Sequence, residues 1–259
     1  MAELTPMMQQ YMQTKKEYPD CILFYRLGDF YEMFFDDALT ASRELEITLT
    51  GKNCGLEERA PMCGVPYHAL EGYLSKLVQK GYKVAIGEQV EDPKTAKGLV
   101  KREVIRVVTP GTITNSQALE ESKNNYLMGI VYTDGIFGIS VADVSTGDYL
   151  VTEVKSERNL IDEIYKFSPS EIICNEAFYM SGIDLDDLKN RLHAVISDLD
   201  NRFFSDEFCR KLLRDHFHVE NLEGLGLSDY ETGTIAAGAV LQYLYETQKN
   251  SLEHLTRIT

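Results

Sequence analysis

No apolar run in the 259 residues approaches the roughly 18 that a membrane-spanning helix needs, so no span is expected. Residues 1–13 are polar and amphipathic, with no basic stretch leading into an apolar one, and no secretion signal is read there. Cysteine is sparse and odd in number: Cys21, Cys54, Cys63, Cys174 and Cys209 are scattered, and none belongs to a Cys-x-x-Cys pair. That pattern argues against a disulfide framework or a zinc site and fits a reducing compartment, so a cytoplasmic location is the expectation. The chain lacks Gly-x-x-x-x-Gly-Lys-Ser/Thr, and with it any loop of the kind that cradles nucleotide phosphates. It shows no internal repeat and no low-complexity segment. It also lacks a positive excess: 26 Lys and Arg stand against 41 Asp and Glu, a net charge of −15. A balance of that sign argues, at first sight, against a nucleic-acid binder.

The distribution of charge modifies that argument. Residues 1–112 carry 14 basic and 16 acidic side chains, a net of −2, whereas residues 113–259 carry 12 and 25, a net of −13. A near-neutral first part can present a local basic face, although few phosphate contacts mean little counterion release and weak DNA binding by that part alone. The acidic second part suits a protein partner better than DNA. An apolar content of 44% is enough for packed cores, and the length suits two domains.

Residues 5–16 read as a helix, with Thr5 as N-cap and Pro6 at the first helical position. Residues 21–27 read as a short buried strand ended by Gly28. Asp29 is then expected to cap a helix, with Glu32 as its capping-box partner. The helix should run to about residue 45, with Tyr31, Phe34, Phe35, Ala38 and Leu45 on its core stripe. On that wheel Phe30 lies roughly 90° and Glu32 roughly 110° from the stripe, on opposite sides. A ring and a carboxylate would thus stand at an exposed strand-to-helix corner, with Met33 also outward. From pattern alone, a cap and an edge aromatic are ordinary features. Residues 46–50 form a strand candidate, 51–60 a surface loop, 62–65 an extended segment, 70–79 a helix ended by Gly81, and 83–90 and 104–108 two strands.

Residues 113–125 are polar and turn-rich and read as a linker. Three strands follow, over 126–132, 137–144 and 149–154. They are joined through Asp134-Gly135 and Gly147-Asp148, which is hairpin chemistry. A helix over 159–167, strands over 171–174 and 195–199, and helices over 205–216 and 230–249 complete the pattern. Mixed strands and helices make the first part α/β or α+β in class, and the second part adds helix–strand repeats to an antiparallel meander.

Gly28-Asp29-Phe30-Tyr31-Glu32-Met33-Phe34 resembles the mismatch-reading motif of the bacterial MutS family, Phe-x-Glu. Four more blocks resemble that family in family order: Thr5-Pro6-Met7-Met8-Gln9-Gln10-Tyr11, Pro61-Met62-Cys63-Gly64-Val65-Pro66-Tyr67-His68-Ala69, Ala85-Ile86-Gly87-Glu88-Gln89 and Val107-Val108-Thr109-Pro110-Gly111-Thr112. The three hairpin strands and the helix–strand repeats after them resemble a ribonuclease-H-like sheet, which in that family is the connector domain. Residues 241–249 resemble the passage into its lever domain. The resemblance therefore implies a mixed-sheet α/β mismatch-recognition, DNA-binding domain over residues 1–112 and a linker over 113–125. A ribonuclease-H-like connector domain follows over 126–245, and the start of a lever or core region over 246–259.

For function, the resemblance implies DNA mismatch repair, with Phe30 as an aromatic wedge and Glu32 beside it in the minor groove of bent duplex. A base stacked on an aromatic face gains about 1–3 kcal/mol. An apolar wedge unstacks and kinks a base step, most cheaply where pairing is already poor, so the site reads deformability rather than sequence. A carboxylate beside phosphates is repelled, and it helps only if it accepts from a base N–H or donates when protonated. Glu32 would thus hydrogen-bond a mispaired base and penalise ordinary duplex. Met33 and Met62 are candidates to pad the groove, Met62 alternatively being core. Lys52, His68, Lys76 and Arg102 are candidate phosphate contacts, Arg102 foremost because it stands just before the last strand of the matched region.

No catalytic residue, metal or cofactor is expected within these residues. The family implies an ATPase outside them that uses ATP and magnesium, and a homodimer that clamps double-stranded DNA carrying mismatches or small loops. It also implies a MutL-like partner met through the connector. The alternative is a metal-dependent nuclease of ribonuclease-H-like type in the second domain, which needs carboxylates converging on two metals. Asp143 lies within the first three strands, Asp134 and Asp148 lie in turns, and no acidic cluster is evident. His216-Phe217-His218 has suggestive spacing without a third ligand and reads as surface histidines. A scaffold with vestigial DNA contacts is the third reading.

Overall fold

Gly28 takes a φ of +61° between Leu27 and Phe30, which face each other as a cross-strand pair. A two-residue loop with glycine at its first position folds the chain straight back on itself. The segment after the loop is therefore a strand, not the helix its composition suggested. The computed structural model describes residues 2–114, 123–248 and 252–259 and divides into two units, Met1–Thr109 and Pro110–Thr259.

The first unit runs α1 (Pro6–Glu17), β1 (Ile22–Leu27), β2 (Phe30–Phe34), α2 (Phe35–Leu45), β3 (Thr50–Lys52), β4 (Ala60–Pro66), a 3-10 turn (Tyr67–Ala69), α3 (Leu70–Gln79), β5 (Val84–Gln89) and β6 (Arg102–Val108). The sheet order is β3-β4-β2-β1-β5-β6, with β1 and β5 parallel and the other pairs antiparallel. Thr5 Oγ1 accepts from Met8 N and caps α1, as its sequence position indicated.

β2 is an inner strand, so its backbone groups are satisfied by β1 on one side and β4 on the other. Its first four residues alternate exposed, buried, half-buried and buried, the period of a pleated strand. The chain turns into α2 at Phe35, whose φ of +54° is a left-handed conformation costing a bulky residue about 1–2 kcal/mol. Asp29 and Glu32 are accordingly neither a cap nor a capping-box partner. Asp29 lies in the hairpin loop, where its carbonyl accepts from Tyr67 N. The strand expected over 46–50 is displaced to β3, because Glu46 ends α2 in a left-handed cap.

One face of this sheet carries Leu23, Tyr25 and Phe34 beneath α1, with the Tyr11 ring edge-on to Tyr25 and Phe34 at 5.4 and 4.9 Å. The opposite face buries Tyr31, Met33, Cys63 and Val65. There Cys63 Sγ lies 3.6 Å from the Ala38 carbonyl of α2. Met33, expected to point outward, is fully buried on this second face, because strand alternation sets it opposite Glu32.

The second unit runs β7 (Leu127–Thr133), β8 (Ile136–Asp143), β9 (Asp148–Val154), α4 (Glu157–Phe167), β10 (Glu171–Cys174), α5 (Glu176–Tyr179), α6 (Leu185–Leu192), β11 (Val195–Asp198), a 3-10 turn (Asn201–Phe204), α7 (Asp206–Phe217), a 3-10 turn (Glu223–Leu225) and α8 (Glu231–Gln248). The order is β11-β10-β7-β8-β9, with an antiparallel β7–β8–β9 meander and β10 and β11 parallel to β7. This is the ribonuclease-H-like arrangement of the sequence reading. Leu160, Ile164, Phe178 and Leu188 pack on one face of the sheet; α8 and α7 pack on the other.

Two stretches lie differently from their sequence reading. Gly111 N donates to Glu171 Oε1 at 3.0 Å, Asn125 Nδ2 donates to the Pro110 carbonyl at 2.9 Å, and Ile113 is buried, so the chain joins the second unit from Pro110 onward. Of the stretch read as a linker, residues 115–122 lie outside the described residues. Within residues 246–259, read as the start of a further region, Leu252, Leu255 and Ile258 are buried in the second unit's core. Thr259 pairs through its backbone with Tyr149 and Val151 of β9. An apolar residue every third position draws that segment back onto the sheet rather than away from it.

The Ala- and Gly-rich α8 approaches the sheet at near backbone contact: a Cβ on Gly138 would fall 2.3 Å from the Thr232 carbonyl oxygen. Gly138→Ala should therefore destabilise the second unit by about 2–3 kcal/mol through overpacking against rigid backbone. The check is the urea midpoint followed by circular dichroism, and an unchanged midpoint refutes the close-approach argument.

Candidate nucleic-acid interface

Side chains alternate along β2, so Phe30, Glu32 and Phe34 share one face. Phe34 is covered by α1; Phe30, at the hairpin end, is 46% exposed. Phe30 is held between Leu27 of β1 and Pro66 of β4, and Glu32 between Tyr25 and Gly64. A Cβ on Gly64 would stand 3.5 Å from Glu32 Cγ, so glycine leaves the flank of the carboxylate open. From β3, Lys52 Nζ reaches Glu32 Oε2 at 2.8 Å and lies 5.8 Å from the centre of the Phe34 ring. A ring, a carboxylate and an ammonium thus line one open stretch of sheet.

Arg102, the foremost phosphate candidate of the sequence reading, is drawn inward instead. Its Nε donates to the Arg26 carbonyl at 2.7 Å, and its Nη1 donates to Gln10 Oε1 at 2.8 Å and to the Val100 carbonyl at 3.2 Å. The guanidinium also lies 5.4 Å from the Tyr25 ring. Burial lowers its pKa from the ordinary arginine value, against the opposing pull of Tyr25 and Glu32. These bonds tie α1 and the start of β6 to the end of β1, so Arg102 is a structural clamp.

Other candidates are scattered. Met62 is half-buried against the core beneath α1. His68 is exposed in the turn after β4, its ring edge-on to Tyr67 at 6.0 Å. Lys76 is exposed on α3, with its ammonium 5.5 Å from the Tyr73 ring. That helix packs beside α2, away from the Phe30–Glu32 face. The structure therefore brings Phe30, Glu32 and Lys52 together and leaves Met33 and Lys76 apart from them.

Sequence reasoning missed Tyr67 and Arg26. The Arg26 guanidinium lies 4.1 Å from the centre of the half-exposed Tyr67 ring and 3.3 Å from Glu88 Oε1, while Tyr31 Oη donates to Glu88 Oε2. Burial, and then the neighbouring Glu88, push the Tyr31 hydroxyl up to about 12. A strand reading of β2 would have exposed this cluster, since Arg26 and Tyr31 are a cross-strand pair.

In the second unit, Asp143, on which a nuclease reading would build, is 1% exposed. It accepts from the backbone N–H groups of Asn125, Ser145 and Thr146. It fastens a turn. Among the described residues no group of three or more His, Cys, Asp and Glu is placed to hold a metal ion. His216, read as a surface residue, is half-buried: Nδ1 lies 2.5 Å from Tyr245 Oη and Nε2 2.8 Å from the Leu255 carbonyl, pinning the last segment. All five cysteines are free and buried. Burial pushes the thiols of Cys21 and Cys63 up to about 11 and those of Cys174 and Cys209 up to about 12, suppressing the thiolate that would react or bind metal. No helix among the described residues is long and apolar enough to cross a membrane.

Fold and site together define a two-unit α/β chain that displays a ring and a charge pair on an open sheet face. The chain belongs to the MutS family: residues 5–117 match the model for MutS domain I and residues 125–256 the model for MutS domain II. It is 66% identical over 259 residues to the DNA mismatch repair protein MutS of Lachnoclostridium phytofermentans, covering 100% of this chain and 28% of that protein. It is 55% identical over 258 residues to the protein of that name from Acetivibrio thermocellus, covering 98% and 29%, and 51% identical over 267 residues to that of Alkaliphilus metalliredigens, covering 100% and 30%. The chain spans less than a third of the length of these curated relatives.

Removing the Arg102 clamp should act on stability without any DNA present. Arg102→Ala is expected to lower the stability of the first unit by about 1–3 kcal/mol, since it strips partners from half-buried acceptors. A urea midpoint equal to wild type, with DNA affinity reduced, would return Arg102 to a phosphate role.

Proposed function

We propose that the first unit recognises mispaired sites in double-stranded DNA as part of DNA mismatch repair, with Phe30 entering a weakened base step from the minor groove. The observation that supports this most directly is the exposure of the Phe30 ring at the end of a sheet face that α1 covers at Phe34, two residues from Glu32. An apolar ring kept in water at a rigid position is primed to gain from stacking. A mismatched step, poorly stacked and paired, admits it at the least cost. Glu32 would accept from a base N–H that a mispair leaves available, and would repel the phosphates of intact duplex. Lys52 and His68 are the proposed phosphate contacts at this face, and Met62 is its apolar floor.

The wider proposal follows the family. Outside this chain an ATPase would use ATP and magnesium, two copies would clamp DNA with mismatches or small loops, and the acidic second unit would meet a MutL-like partner in the cytoplasm. No reaction is assigned to the residues of either unit, and the two readings of the second unit diverge at Asp143, whose oxygens are occupied by turn N–H groups.

Two substitutions in the full chain test the proposal. Phe30→Ala should weaken binding to a singly mismatched duplex by roughly tenfold or more, the scale of one lost base–ring stack. Binding to matched duplex should barely change, and a retained preference for the mismatch overturns the wedge. Glu32→Gln should raise affinity for matched duplex in fluorescence anisotropy titrations; a flat response removes the repulsion argument.

A further inference from the structure

Lys52 and Glu32 meet at the surface. Their side chains are 34% and 15% exposed, and 2.8 Å separates Nζ from Oε2. The ammonium is a single compact charge on a flexible stem. A polyanion that docks on this face competes with Glu32 for it. The second cation acting on Glu32 is Arg102, but its Nε is held by the Arg26 carbonyl and its Nη1 by the Val100 carbonyl and Gln10. Of the two, Lys52 is the one able to move.

We propose that Lys52 is a specificity-determining residue that exchanges partners: it holds Glu32 in the free protein and passes to a DNA phosphate when duplex docks. The inference rests on the DNA reading given above and deepens it. Before docking, the pair neutralises Glu32 and presents little repulsion to DNA. Once Lys52 has left for a phosphate, Glu32 faces the base step with its charge unscreened. A paired and stacked step offers that carboxylate no donor, so matched duplex bears the full cost of breaking the ion pair. A disrupted pair offers a base N–H, and the cost is offset. One side chain thereby ties backbone contact to the penalty on intact DNA.

A double-mutant cycle in the full chain tests this, with matched and singly mismatched duplexes titrated over a range of salt. Lys52→Met should reduce the slope of log affinity against log salt by about 0.9 on both duplexes, the release of counterions from one phosphate. Lys52→Arg should keep the wild-type slope. Glu32→Gln should raise matched-duplex affinity about threefold more in the wild-type background than in the Lys52→Met background, because only the former has an ion pair to lose.

If Lys52 instead stays on Glu32 as a fixed screen, that difference changes sign, since the unscreened carboxylate of the Lys52→Met chain then gains more from neutralisation. A reversed sign or an unchanged salt slope overturns the exchange. Urea midpoints establish that each variant folds, with Lys52→Gln in reserve. Phe30→Ala separates the two levels: loss of mismatch preference there, with a failed cycle, removes only the exchange, whereas preference retained there removes the DNA reading itself.

Discussion

The period of two along β2 is the constraint on which the first unit depends. An inner strand bonded on both edges cannot rotate, so the parity of each residue decides its fate. Tyr31 and Met33 go under the helices on the α2 side; Phe30, Glu32 and Phe34 go to the face shared with α1. Because α1 covers the Phe34 end, the same rule that completes the core leaves Phe30 in water. A slip of one residue would bury the ring and carry the Tyr31 hydroxyl away from Glu88. The two-residue loop at Gly28 and Asp29 sets the register, and the left-handed corner at Phe35 sets where the strand ends.

Charge is arranged by the same geometry. The net negative balance of the chain argued against DNA, but the open face is a local matter. Glu32 is paired with Lys52 and feels the clamped Arg102, so its charge is compensated until something competes for Lys52. Arg102 shows why a basic residue within the family-matched region need not be free to touch a phosphate. Its position at the start of β6 lets it satisfy two carbonyls and Gln10 at once, and a guanidinium so engaged serves the protein's own fold.

Much of this was legible in the sequence. α1, α3, β1, β5 and the β7–β9 meander follow from caps, glycine stops and hairpin turns, which act locally. The ribonuclease-H-like order of the second sheet followed from three hairpin strands and the repeats after them. What failed was β2. Phe30, Tyr31, Phe34 and Phe35 fit a helical stripe as well as a pleat, and only the pairing with β4, some thirty residues away, decides between them. Met33 was misplaced for that reason, since the two periods send it to opposite sides. The exposure of Phe30 agrees under both periods, which is why the ring could be singled out although its element was misread. Tyr67 and the inward turn of Arg102 depend on non-local neighbours and left no signal in the string, whereas Arg26, the cross-strand partner of Tyr31, was hidden by the misreading of β2.

Magnitudes indicate what such a face can and cannot do. Bending a site smoothly through tens of degrees costs about 1–6 kcal/mol, and one base–ring stack returns only about 1–3 kcal/mol. A lone phenylalanine therefore cannot hold sound duplex in a bent form. The first unit, with a net charge of −2 over residues 1–112, would add little counterion release of its own. Where a step is already unstacked, most of the deformation cost is gone and the same small gain becomes decisive. A weak but rigid probe discriminates better than a strong one, because a ring that bound every step tightly would no longer depend on the state of the step. On the proposed DNA reading, the placement of Phe30 on an inner strand would supply that rigidity, and the affinity needed to keep DNA in place would have to come from contacts beyond this face.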